Sequence, residues 1–171
     1  MIGSIRIRFH GPVPGSANLT QREWNAIKKE AFNQVGLWWF RECRPKHFTA
    51  AGATEYAYAP RVGERGRPGP KGFKQSYTGR KLKDKGHTRP LVYTGKSMAD
   101  AAKGRVEPTF KRVRVIMDVP TLRLRPRGGQ IDMQSELRRL SAREIKDAVR
   151  LHGRSMIQQL RAIRTTCTLQ V

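Results

Sequence analysis

The chain has 171 residues and carries 35 Lys and Arg against 13 Asp and Glu, a formal charge of +22 that draws it to polyanions or to acidic protein faces. That length fits one domain, residues 1–171, with a modest core and one long appendage. Two cysteines, Cys43 and Cys167, exclude a disulfide framework, and the longest apolar-rich stretch without charge, residues 31–40, is about half the ~20 residues a membrane span requires. A soluble chain made in a reducing cytoplasm is expected, since "MIGSIRIRFHG" also lacks an apolar signal core.

"SIRIRF" alternates, with Ile5, Ile7 and Phe9 on one side and Arg6 and Arg8 on the other, as a half-buried strand does. Two prolines and two glycines break it over residues 10–18. Thr20 and Glu23 make a capping box. Behind it Trp24, Ile27, Ala31, Val35 and Trp38 recur at helical spacing, predicting a long helix that ends near Cys43, before Pro45. Phe32 and Trp39 widen its apolar face. Burial on two sides is expected, by a sheet and by a neighbouring subunit, with Trp24, Phe32, Trp38 and Trp39 at the subunit interface.

Residues 60–90 change character, with ten Lys and Arg, six glycines and four prolines against two acids. That composition predicts a long exposed arm or loop. "KRVRVIMDVPTLRLR" reads as two strands joined at a bend: Val113, Val115, Met117 and Val119 share a face, and Leu122 and Leu124 continue beyond Pro120. Ser141 and Glu144 suggest a second capping box. Ile145, Val149, His152, Met156, Leu160 and Ile163 then line one face of a C-terminal helix that Gly153 weakens, and "TTCTLQV" is β-prone and could add an edge strand.

"PLVYTGKS" ends like a phosphate-binding loop. The glycine that should open such a loop is Pro90, which has no N–H to offer a phosphate, and the preceding segment is too polar for a buried strand. "VRVIMD" resembles the strand and acid that hold magnesium in such enzymes, but any amphipathic strand before a turn ends this way. A turn into a short helix is the plainer reading, with Thr94 as cap, Gly95 relieving crowding, and Met98, Ala101 and Ala102 packed inward. Cys43 and His47 have ligand spacing but no second pair to complete a metal site. No metal, cofactor or catalytic residue is assigned, and an enzyme is not expected.

The basic segment is the strongest functional signal. Arg61, Arg65, Arg67, Lys71, Lys74, Arg80, Lys81, Lys83, Lys85 and Arg89 could neutralise phosphates, with Tyr58, Phe73 and Tyr77 to stack on bases. An arm docking on acidic partner subunits and a solvated loop fit the same charge.

The order of pieces is informative. A tryptophan-bearing helix leads to "HFT…A…YAYAPR", a Gly/Lys/Arg-rich stretch, then "PLVYTGK" with a short helix and an amphipathic strand. This resembles a group of small tailed-bacteriophage morphogenesis proteins: tail-completion, neck and head–tail joining components. The resemblance covers residues 38–102 and implies an α+β fold, a small, mostly antiparallel sheet packed on a long N-terminal helix. It implies a virion structural protein that forms a homo-oligomeric ring around the DNA channel, between portal or adaptor proteins and tail proteins, without contact with a membrane. Pro90, Leu91, Thr94 and Gly95 would be a structural turn and helix start. The helix from Ser141 is an addition to the shortest members. The alternative reading is a basic nucleic-acid-binding protein, ribosomal or DNA-packaging, that uses the 60–90 arm.

Overall fold

The computed structural model describes residues 2–5, 19–59, 74–92, 94–123 and 132–168. They form two compact units that alternate along the chain. One holds the described residues of Ile2–Arg41, Arg105–Ile116 and Ala142–Val171; the other holds those of Glu42–Gly104 and Met117–Ser141. Length alone suggests one domain. The chain divides because a single sheet recruits segments distant in sequence, while the stretches between them close on themselves.

The first unit contains strand β1 (Ile2–Ile5), helix α1 (Gln21–Trp38), strands β2 (Arg105–Pro108) and β3 (Val113–Ile116), and helix α6 (Ala142–Thr168). The sheet is antiparallel in the order β1-β3-β2, with Ile5 and Pro108 both opposite Val113. The fold is α+β, as the sequence indicates. Pro108 is tolerated because β2 is an edge strand. The β2–β3 turn is held by Thr109, whose hydroxyl accepts from the Lys111 and Arg112 amides and donates to the Arg112 carbonyl. β2 was not anticipated, since Pro108 and Glu107 weaken its apolar pattern.

α1 begins as expected. The Glu23 amide donates to the Thr20 hydroxyl at 3.3 Å, and the Thr20 amide donates to the Glu23 carboxylate at 2.8 Å. The Thr20 hydroxyl also donates to the Glu23 carboxylate, at 2.7 Å, and that bond followed by the one from the Thr20 amide holds the Glu23 carboxyl below its usual pKa. The helix passes into a π-turn over Trp39–Cys43, then into a 3₁₀ turn over Arg44–Phe48 with Pro45 in its first turn.

α1 packs against both α6 and the sheet. Ile27 and Ala31 cluster with Met156 and Leu160, with Leu19 and Trp24 at the margin. Phe32 and Val35 cluster with Val113 and Ala148, flanked by Trp38, Val106 and Leu151. Of the expected subunit-interface residues, two are therefore core residues of this chain. Phe32 and Trp39 are buried within the chain, and Trp24 and Trp38 are half-buried against its core. The two-sided burial read from α1 is therefore satisfied by the chain's own sheet and C-terminal helix.

α6 runs unbroken through Gly153 to Thr168, so residues 165–168 are helical and not an edge strand. Helix propagation, which adds one hydrogen bond per residue fixed, outweighs the weak β-preference of threonine. Its buried face also differs from expectation. Glu144, Ala148, His152, Ser155, Met156 and Leu160 are buried, whereas Ile145 and Val149 are exposed. Small Ala148 and Ser155 let the helix approach its neighbours closely, and that rotation turns the β-branched pair outward. Val113, Val115, Met117 and Val119 are all buried as read. The expected strand beyond Pro120 is instead a 3₁₀ turn over Pro120–Arg123, which the fixed φ of proline favours. Leu124 lies outside the described residues.

Where α1 crosses the sheet it carries Gly36. A Cβ there would lie 2.5 Å from Val106 Cγ1 and 2.5 Å from Val113 Cγ2. Both neighbours are β-branched and stiff at χ1, so they cannot swing aside. Gly36→Ala gains up to about 1 kcal/mol of helix propensity but overpacks this contact at a cost of about 1–3 kcal/mol. Chemical denaturation should show net destabilisation of about 1–2 kcal/mol, and adding Val106→Ala should recover part of it.

Candidate functional site

The second unit contains both segments that carry the family resemblance. In the first, residues 44–59, the 3₁₀ turn leads to Thr49, whose hydroxyl accepts from the Gly52 amide at 3.0 Å and starts α2 (Ala50–Glu55). Gly52 is required by space: a Cβ there would run into the Lys46 carbonyl oxygen. The chain then turns back through Ala57, at φ +48°, and brings two tyrosines onto His47. Tyr56 stacks on the His47 ring at 3.8 Å, with 7° between planes. The Tyr58 hydroxyl lies 2.6 Å from His47 Nδ1. Arg139 donates to the Tyr56 carbonyl at 3.1 Å, and the buried Glu136 carboxylate accepts from the Ala59 amide at 3.1 Å. Glu136 belongs to α5 (Met133–Leu137), which Asp132 caps by accepting from the Gln134 and Ser135 amides. His47 is thus a core residue held by a stack and a hydrogen bond. Among the described residues no cluster of three or more His, Cys, Asp or Glu could hold a metal ion.

The second segment begins inside the expected arm. Residues 60–73 lie outside the described residues, and so do Arg61, Arg65, Arg67, Lys71 and Phe73. The stretch beyond them corrects the arm assignment. Tyr77–Lys85 is helix α3, started by Ser76, whose hydroxyl accepts from the Gly79 amide at 3.0 Å. Gly86 ends it at φ +70°, with its N–H bonded to the Leu82 carbonyl. Lys81 is buried, and its ammonium donates to the Arg89 carbonyl, tying the helix to the chain that follows. Lys74, Arg80, Lys83, Lys85 and Arg89 are exposed.

Pro90 and Leu91 then turn the chain, with Leu91 buried at φ +54°. The Ser97 hydroxyl donates back to the Leu91 carbonyl. α4 (Lys96–Ala102) has Gly95 as its N-cap at φ +84°, without a side-chain cap, so the expected Thr94 cap is corrected. Ala101 packs inward, whereas Met98 and Ala102 are exposed. Gly95-Lys96-Ser97 is not built as a phosphate loop. The element before it is a helix, its serine is engaged in holding the turn, and Asp118 is exposed and paired with Arg123 at 2.6 Å.

These pieces surround a cleft of about 580 Å³. Ala53, Pro90, Leu91, Leu122 and Met133 give it an apolar floor; Thr54, Thr78, Thr94, Thr121 and Ser97 line it with hydroxyls; Lys81 and Lys96 make it positive. The structure therefore brings together Tyr58, Lys81, Pro90, Leu91, Thr94 and the Lys96 of "PLVYTGKS", which the sequence named separately, and adds Thr54, Thr78 and Thr121, which it did not. No repeating pattern marks those threonines, because they come from different elements. Among the described residues the lining offers hydroxyl and ammonium groups that can donate hydrogen bonds to a bound group.

Comparison with known proteins finds no matching family model, no similar curated protein and no similar solved structure.

Burial pushes the His47 pKa down to about 4, opposed by a hydrogen bond with the Glu136 backbone. The folded unit thus holds His47 neutral where the unfolded chain, near 6.5, takes up a proton. Its contribution to stability is full above about pH 6.5 and is lost as pH falls from there toward 4. His152, buried with its ring edge-on to Phe32 at 4.5 Å, shifts to about 4 in the same direction. Melting temperatures across this range should fall for the parent chain and fall less steeply for His47→Phe, which keeps the stack on Tyr56 but has no proton to gain.

Proposed function

We propose that the chain is a structural protein of a tailed-bacteriophage virion, a neck or tail-completion component that assembles as a homo-oligomeric ring around the DNA channel. One observation supports this reading most. The described residues of the resembling segments are engaged in building local structure. His47, Thr49, Gly52, Tyr56 and Tyr58 close one turn, and Leu91, Gly95 and Ser97 close another. A pattern of this kind specifies a scaffold, not a reaction. Portal or adaptor proteins and tail proteins are the partners this reading implies, and the virion is the location.

The second reading, a nucleic-acid-binding protein, is favoured by one specific feature. Lys74, Arg80, Lys83, Lys85 and Arg89 are all exposed on or beside α3. Phosphate neutralisation by such residues gives affinity that falls steeply with salt, whereas ring contacts through apolar surface do not.

Mass by light scattering separates the two. The ring reading predicts a discrete multimer without DNA that persists at high salt and is unchanged by Lys83→Glu with Lys85→Glu. A monomer that gains mass only on DNA at low salt, and loses it in that variant, overturns the ring reading.

A further inference from the structure

α6 presents a second face that no element among the described residues covers. Ile145, Val149 and Ile157 are 51%, 47% and 52% exposed, and they recur every four residues with Gly153 between them. A Cβ at Gly153 would meet nothing within 4 Å, so the row has a gap in its middle that opens to solvent. The residue after each member forms a parallel row: Lys146, Arg150, Arg154 and Gln158, all exposed. Asp147, the one exposed-side acid here, faces both Arg143 and Arg150, at 3.8 and 3.5 Å. The helix therefore offers a notched apolar ridge with a basic ridge along its solvent side. Such four-residue ridges pack into the grooves of another helix.

We propose that this face docks an amphipathic helix of a partner protein that bears an apolar ridge flanked by acidic residues. Charge selects that occupant. A second copy of α6 would set Lys146, Arg150 and Arg154 against the same row and be repelled, whereas a row of glutamates would be attracted. The notch selects it further. An apolar side chain of that helix seated over Gly153 fills the gap in the row. The proposal goes beyond the ring reading and does not depend on it.

The test uses the full chain and a labelled synthetic helical peptide with leucines at every fourth position, each followed by glutamate, together with a twin in which lysine replaces glutamate. Fluorescence anisotropy should show the acidic peptide binding and the twin failing. Ile157→Gln and Arg150→Glu with Arg154→Glu should each weaken binding by about tenfold or more, with unchanged circular dichroism and melting temperature. Gly153→Gln, which fills the notch, should do the same. Equal binding of both peptides, or full affinity in Ile157→Gln, overturns the proposal. So does binding to anionic phospholipid vesicles or to duplex DNA that Ile157→Gln abolishes while the peptides bind neither form, or a multimer that this substitution dissolves.

Discussion

The first unit depends on α1 being buried from two directions at once. One side of the helix meets Met156 and Leu160 of α6; another meets Val106 and Val113 of the sheet. The second contact is possible only because residue 36 lacks a side chain, so that two stiff valines reach the helix backbone. Each fully buried Ile, Val or Phe contributes about 1.5–3 kcal/mol, and Ile27, Phe32, Val35 and Val113 are all almost wholly enclosed. A sheet of three four-residue strands is marginal alone and gains its stability from this packing.

The same constraint decides what α6 leaves uncovered. α1 takes the row of Ala148, His152 and Met156, and no described residue of the unit takes the adjacent row of Ile145, Val149 and Ile157. One helix cannot cover the whole apolar arc of another when the arc is this wide. In the second unit the logic is inward. A histidine, two tyrosines, a threonine and a glycine lock a short helix and its return turn, while Arg80, Lys83, Lys85 and Arg89, on α3 and its C-terminal side, stay exposed. Shape comes from the one set and surface charge from the other.

Much of this was legible in the sequence. Thr20 and Glu23 announced α1, the valines of β3 announced their buried face, and Pro90 argued against a phosphate loop. α3 was missed because the composition of residues 60–90 outweighed its signals, although Ser76 and Gly86 are ordinary start and stop residues. Ile145 and Val149 were misplaced because helical spacing gives an apolar arc and not the partner that covers it. Phe32 was read as part of an interface for the same reason: the surfaces that enclose it come from β3 and α6, distant in sequence. The cleft's threonines come from several elements, and only the tertiary fold assembles them.

Native-state hydrogen exchange followed by mass spectrometry tests the two-sided burial of α1 most directly. The account predicts that amides near Ile27, Ala31 and Val35 exchange last, together with those of β3 and the middle of α6, in one cooperative opening. Early exchange of α1 while β3 and α6 remain protected would contradict it, because the sheet and the C-terminal helix would then be holding together without the helix between them.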